Sequence, residues 1–130
     1  MSKVYIACHH PDPANVLAAR LLAANHTIAS SWHRDTAPRP SPDDAAAWTA
    51  NAARNMKEIG NTDVLVVIAS TEHVAGTARV PGGKFVEFGY ALGRCVRVFT
   101  LGGVENGMLH HPNVEHAAGV DELLAMLGNR

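Results

Sequence analysis

The chain has little that would staple it covalently or through metal. Two cysteines, Cys8 and Cys95, stand among 130 residues. They are too isolated for a disulfide framework or a cysteine metal site, and both read as buried thiols on or beside strands. Aromatics make up 5% of the chain, so a platform for stacking single-stranded bases is not expected. The formal net charge is −1, which argues against the electrostatic footprint of a nucleic acid polymer. No apolar run approaches the roughly 18 residues of a membrane span, and the N-terminus has no signal-peptide pattern. A soluble cytoplasmic protein without a membrane partner is expected. The eight histidines raise the question of a metal, but His9-His10 and His110-His111 are adjacent pairs whose side chains diverge. No His-x-x-x-His or Cys/His set is present, so neither metal nor cofactor is expected.

What is present is a chain that can build a core. Hydrophobic residues reach 47% and charged residues 18%, a globular balance suited to one domain over residues 1–130. Strands and helices alternate. Lys3–Cys8, Thr27–Trp32, Asp63–Ala69, Arg97–Leu101 and Asn113–His116 read as strands. The run Asp-Val-Leu-Val-Val-Ile-Ala at 63–69 has the unbroken apolar character of a parallel strand buried on both faces. Helices are predicted over Pro11–Asn25, about 43–59, a segment containing Glu87, and Val120–Leu127, with a frayed tail after it. Prolines 38, 40 and 42 mark 33–43 as a loop. This alternation predicts a flavodoxin-like three-layer α/β sandwich with a five-stranded parallel sheet in the order 2-1-3-4-5.

In such sheets ligands bind beyond the carboxyl ends of the strands. The loops expected there carry His9, His10, Asp12, Trp32, His33, Arg34, Glu72, His73, Asn106, His110 and His111. Trp32 fits equally well as a surface that stacks on a base or as partly exposed core. Trp48, on the Ala-rich helix, reads as packing or a subunit contact. The stretch Val80-Pro81-Gly82-Gly83-Lys84-Phe85-Val86-Glu87-Phe88-Gly89-Tyr90-Ala91-Leu92-Gly93 is the most pointed. A Pro-Gly-Gly turn opens a helix, and Glu87 lies one turn inside among apolar neighbours. Near a helix N-terminus, free N–H groups and the macrodipole would hold this carboxylate ionised, as a nucleophile requires. The same spacing fits an ordinary first-turn Glu that serves the dipole alone. Arg79 and Lys84 beside the turn suit a phosphate, or simply a solvated surface.

The pattern Lys3-Val4-Tyr5-Ile6-Ala7, Ser31-Trp32, Asp63-Val64-Leu65-Val66-Val67 and Glu87-Phe88-Gly89-Tyr90-Ala91 resembles the nucleoside 2-deoxyribosyltransferase family, from residue 3 to about 127. Val104-Glu105-Asn106-Gly107-Met108 followed by His111-Pro112 resembles its small, phage-type members. Deoxynucleoside-monophosphate N-hydrolases belong to the same wider group. The resemblance implies attack by Glu87 on C1′ of a 2′-deoxynucleoside or its monophosphate, loss of the base, and transfer of the sugar to a second base or to water. It implies that Tyr5, at the end of the first strand, hydrogen-bonds the nucleophile. Trp32, His9, Gly82 and Gly83 would border the substrate, and Asn106 and Met108 would reach into a neighbouring subunit's site, making the protein a homo-oligomer with shared sites. Two departures stand out. Asn55 occupies the place of an Asp that protonates the leaving base, and an amide cannot deliver that proton. Residues 78–83 also hold no acid to contact the sugar, for which Glu72 or a loop histidine would have to substitute. A nucleotide-binding or sensor protein without catalysis is the alternative these departures leave.

Overall fold

Along each central strand the apolar residues divide between two faces, and that division builds the protein. The computed structural model describes residues 1–70 and 82–128. Its strands are β1 (Lys3–Ala7), β2 (Thr27–Ile28), β3 (Val64–Ile68), β4 (Arg97–Leu101) and β5 (Val114–Ala117). They form one sheet, parallel throughout, in the order β2-β1-β3-β4-β5. The helices are α1 (Pro11–Ala23), α2 (Ala45–Gly60), α3 (Gly83–Gly93) and α4 (Val120–Gly128). Val4, Ile6, Val64, Val66, Phe99 and Leu101 pack with Leu17 and Leu21 of α1 and Leu123 and Leu127 of α4. Tyr5, Ala7, Leu65, Val67 and Val98 pack on the other face with Ile59 of α2 and Phe88 and Ala91 of α3. Burial on both faces explains why these strands read as continuous apolar runs.

The predicted fold class, sheet order and elements are present, with several ends shifted by one or more residues. β2 keeps two residues of the predicted six, because Trp32–Arg34 turn into a short 3-10 helix. Tyr5 sits in the middle of β1, not at its end. Cys95 is exposed, with φ of 60° where the chain leaves α3, so the expectation of a buried thiol there is incorrect. Cys8 is half-buried, and burial pushes its thiol pKa up. The strand order reverses between β1 and β3, where a crevice is expected. Among the described residues no helix is long and apolar enough to cross a membrane.

Candidate active site

Register and helical spacing bring Tyr5 and Glu87 together. Tyr5 is on the sheet face that α2 and α3 cover. On α3 the buried residues are Lys84, Glu87, Phe88 and Ala91, a stripe at i, i+3, i+4 and i+7 that turns toward the sheet. Glu87 is therefore carried into the core-facing side of its helix, where it is 8% exposed, and Tyr5 is fully buried beneath it. The Tyr5 hydroxyl donates a hydrogen bond to Glu87 Oε2.

The electrostatics differ from the expected first-turn carboxylate. Glu87 is four residues beyond Gly83, and the first turn of α3 contains no acid, so the free N–H groups of the helix end lie short of it. Burial pushes its pKa up to about 7, the Tyr5 hydrogen bond pulls it down, and the Glu58 charge pushes it up. Burial, followed by the adjacent Glu87 charge, drives the Tyr5 phenol well above its ordinary value. Tyr5 thus stays protonated as a donor, while Glu87 exchanges its proton near neutrality.

Glu87 borders a cleft of about 780 Å³, within the roughly 300–1,000 Å³ usual for small-molecule sites. His9, Trp32, Asn55, Gly82 and Gly83 border it too. Among the described residues a side-chain Cβ added at Gly82 or Gly83 would meet nothing within 4 Å. Trp32 is both candidate wall and core: its Nε1 donates to the Ile6 carbonyl at 2.8 Å while the ring packs against both clusters. The 33–42 loop contributes Asp35, Ala37, Pro38, Arg39 and Pro40. Asn106 and Met108 do not border this cleft within their own chain. Asn106 caps a 3-10 turn by accepting from the Met108 N–H at 2.9 Å, and Met108 is 70% exposed. Glu72, His73, Arg79 and Pro81 lie outside the described residues.

Two residues considered for ligand contact, His33 and Lys84, are engaged within the protein, although Lys84 also borders the cleft. His33 is 2% exposed. Its Nδ1 meets Asn15 Oδ1 at 2.8 Å and its Nε2 meets Ser30 Oγ at 2.7 Å, while Ser30 Oγ accepts from the Ile6 N–H at 3.1 Å. These partners fit a neutral ring that donates from Nδ1 and accepts at Nε2. Burial, then the Arg34 charge, lowers the His33 pKa to about 4. Lys84 is not a solvated surface charge: it is 4% exposed. Its ammonium donates to the Ile68 carbonyl, Ser70 Oγ and Glu105 Oε1, which uses all three of its protons.

Sequence reasoning placed Asn55 at the site but not the wall of α2 around it. Trp48, Asn51, Arg54 and Asn55 of α2 border the cleft, so Trp48 is not merely packing. Its Nε1 donates to the Ser41 carbonyl at 2.9 Å, and the Arg39 guanidinium lies 5.3 Å from its ring centre. One turn beyond Asn55, Glu58 accepts from the N–H and hydroxyl of Ser31, beside Trp32. Residues 48, 51, 55 and 58 recur every three or four positions, the signal of a shared helix face. Among the described residues no group of three His, Cys, Asp or Glu side chains is placed to hold a metal.

No family model matches the sequence, and no curated protein matches it in sequence. Among solved structures, the chain is similar to the CMP N-glycosidase BcmB of Clostridium botulinum. The TM-score is 0.57 and the identity 14%, over 98% of this chain and 99% of that one. At this identity the likeness establishes a shared fold along the full length of both chains.

Proposed function

We propose that this protein cleaves the N-glycosidic bond of a 2′-deoxynucleoside or its 5′-monophosphate, with Glu87 as nucleophile. The observation that carries the reading is a buried carboxylate, hydrogen-bonded by a buried tyrosine, at the edge of a cleft of nucleoside size. Ionised Glu87 attacks C1′, the bond to the base breaks, and a glycosyl ester forms. Water then attacks C1′ and releases the sugar and Glu87, dividing one difficult displacement into two easier ones. Tyr5 orients the carboxylate and favours its charged form. The fold shared with a CMP N-glycosidase supports this class of chemistry, as do the family-like residues around Glu87.

The test is release of free base from each 2′-deoxynucleoside and monophosphate, with CMP alongside, by the wild type and Glu87→Gln. Release that the substitution abolishes supports hydrolysis, and exchange with an added free base would redefine the protein as a transferase. Ligand binding by calorimetry without any turnover would favour a sensor. We further propose that Asn106 and Met108 complete the sugar site of a neighbouring subunit. Mixing inactive Glu87→Gln with inactive Asn106→Ala should then restore part of the activity, whereas mixtures as inactive as either variant would contradict shared sites.

A further inference from the structure

We infer that the site selects substrates by how readily the base departs as an anion, favouring bases with an exocyclic carbonyl where their counterparts carry an amino group. This rests on the reading of Glu87 as nucleophile. Asn55 borders the same cleft as Glu87. Its Oδ1 accepts from Arg54 Nε and from a terminal guanidinium nitrogen, both at 3.3 Å. Those two contacts fix the amide, because a guanidinium can only donate. Asn55 Nδ2 is left as the unengaged end, donating to no group among the described residues. Arg54 itself borders the cleft, 34% exposed, and reaches Asp35 Oδ2 at 3.5 Å.

Where it borders the cleft, α2 therefore offers an N–H donor backed by a guanidinium charge; Glu58, the acid on the same helix face, is engaged by Ser31 and does not line the cleft. A donor with a cation behind it stabilises negative charge developing on an acceptor, but it does not neutralise that charge with a proton. When Glu87 attacks C1′, the electron pair of the breaking C1′–N bond passes into the base. In uracil or hypoxanthine that pair is delocalised onto ring carbonyls, and the anion leaves to be protonated by water. In cytosine or adenine an amino group replaces one carbonyl, the anion is poorer, and departure benefits more from an acid. Both oxygens of Asp35 at this cleft are engaged, Oδ1 by the Ala37 N–H at 3.1 Å and Oδ2 by Arg54 at 3.5 Å. Among the described residues His9 also borders the cleft, extending from the end of β1 rather than from α2.

Matched pairs test this, because each differs at one exocyclic group: 2′-deoxyuridine against 2′-deoxycytidine, and 2′-deoxyinosine against 2′-deoxyadenosine. The probe 4-nitrophenyl 2-deoxyriboside, whose leaving group needs no proton, is the control. Wild type should release uracil and hypoxanthine faster than cytosine and adenine by about a hundredfold, the lower range of what a general acid contributes. Asn55→Asp should raise cleavage of the amino bases and shrink both ratios, with little change on the nitrophenyl glycoside. Equal or faster release of the amino bases would overturn the inference and assign protonation elsewhere, to His9 first. So would a set of ratios that Asn55→Asp leaves unchanged, or no release from any of the four nucleosides. In each of those cases, nitrophenol release abolished by Glu87→Gln would leave the nucleophile standing. No nitrophenol release at all would overturn both readings.

Discussion

Two buried titratable side chains, one on each side of the sheet's carboxyl edge, are treated in opposite ways. His33 is neutral and held on both ring nitrogens by Asn15 and Ser30, so burial there leaves no polar atom of the ring unsatisfied. Among the described residues Glu87 has one buried donor, Tyr5, and a like-charged neighbour in Glu58. The first arrangement fastens the turn that carries Trp32. The second keeps a carboxylate in a poor solvent with less compensation than its charge requires. A saturated network fixes geometry, and an under-compensated group at a cleft retains reactivity.

The contrast has a sign in pH. A carboxylate with a raised pKa holds its proton in the folded state where the unfolded chain has lost it. The contribution of Glu87 to stability therefore falls as pH rises from the ordinary carboxylate range through about 7, by about 3 kcal/mol in all. A histidine with a lowered pKa does the reverse. The contribution of His33 is complete above the ordinary histidine range and is lost as pH falls toward about 4, again by about 3 kcal/mol. Between these limits the two slopes oppose each other, and each variant should expose the slope of the group that remains.

Glu87→Gln breaks the comparison most strongly. Steady-state base release should fall at least about a thousandfold, as for loss of a nucleophile. The same variant should be more stable than wild type at pH 8 in urea unfolding, by up to about 3 kcal/mol, and equal stability would contradict the cost assigned to the buried charge. His33→Leu, which orphans Ser30 and Asn15, should destabilise the fold by about 2 kcal/mol and shift Trp32 fluorescence, leaving the pKa of Glu87 near that of wild type. Tyr5→Phe removes the donor to ionised Glu87, so the rising limb of the pH–rate profile, set near 7, should move to higher pH by about one unit. Glu58→Gln should shift that limb slightly to lower pH, since a like charge disappears; a shift to higher pH would show that Glu58 acts through Ser31 instead.

The fold was legible because its strands are buried on both faces, and Val64–Val67 leaves no other reading than a central parallel strand. Glu87 was legible as an acid out of place among Phe85, Val86 and Phe88. Its ionisation was not: the Pro-Gly-Gly turn suggests a carboxylate at the helix end, whereas the spacing of Lys84, Glu87, Phe88 and Ala91 drives it into the core. Burial then outweighs the dipole. The role of His33 was hidden for a related reason, since its partners Asn15 and Ser30 come from α1 and the segment after β2. Lys84 reads as a surface charge until the acceptors at 68, 70 and 105 converge on it. Asn55 was legible through the family resemblance, but the rest of the α2 wall was not read from the sequence although the repeat of 48, 51, 55 and 58 is local.

The most direct measurement is the mass of the protein quenched in acid during turnover of 2′-deoxyuridine, followed by peptide mapping. One deoxyribosyl group, without its base, on the peptide that contains Glu87 is the predicted result, and Glu87→Gln should carry none. Base release that continues unchanged in Glu87→Gln would contradict the assignment of this carboxylate as nucleophile.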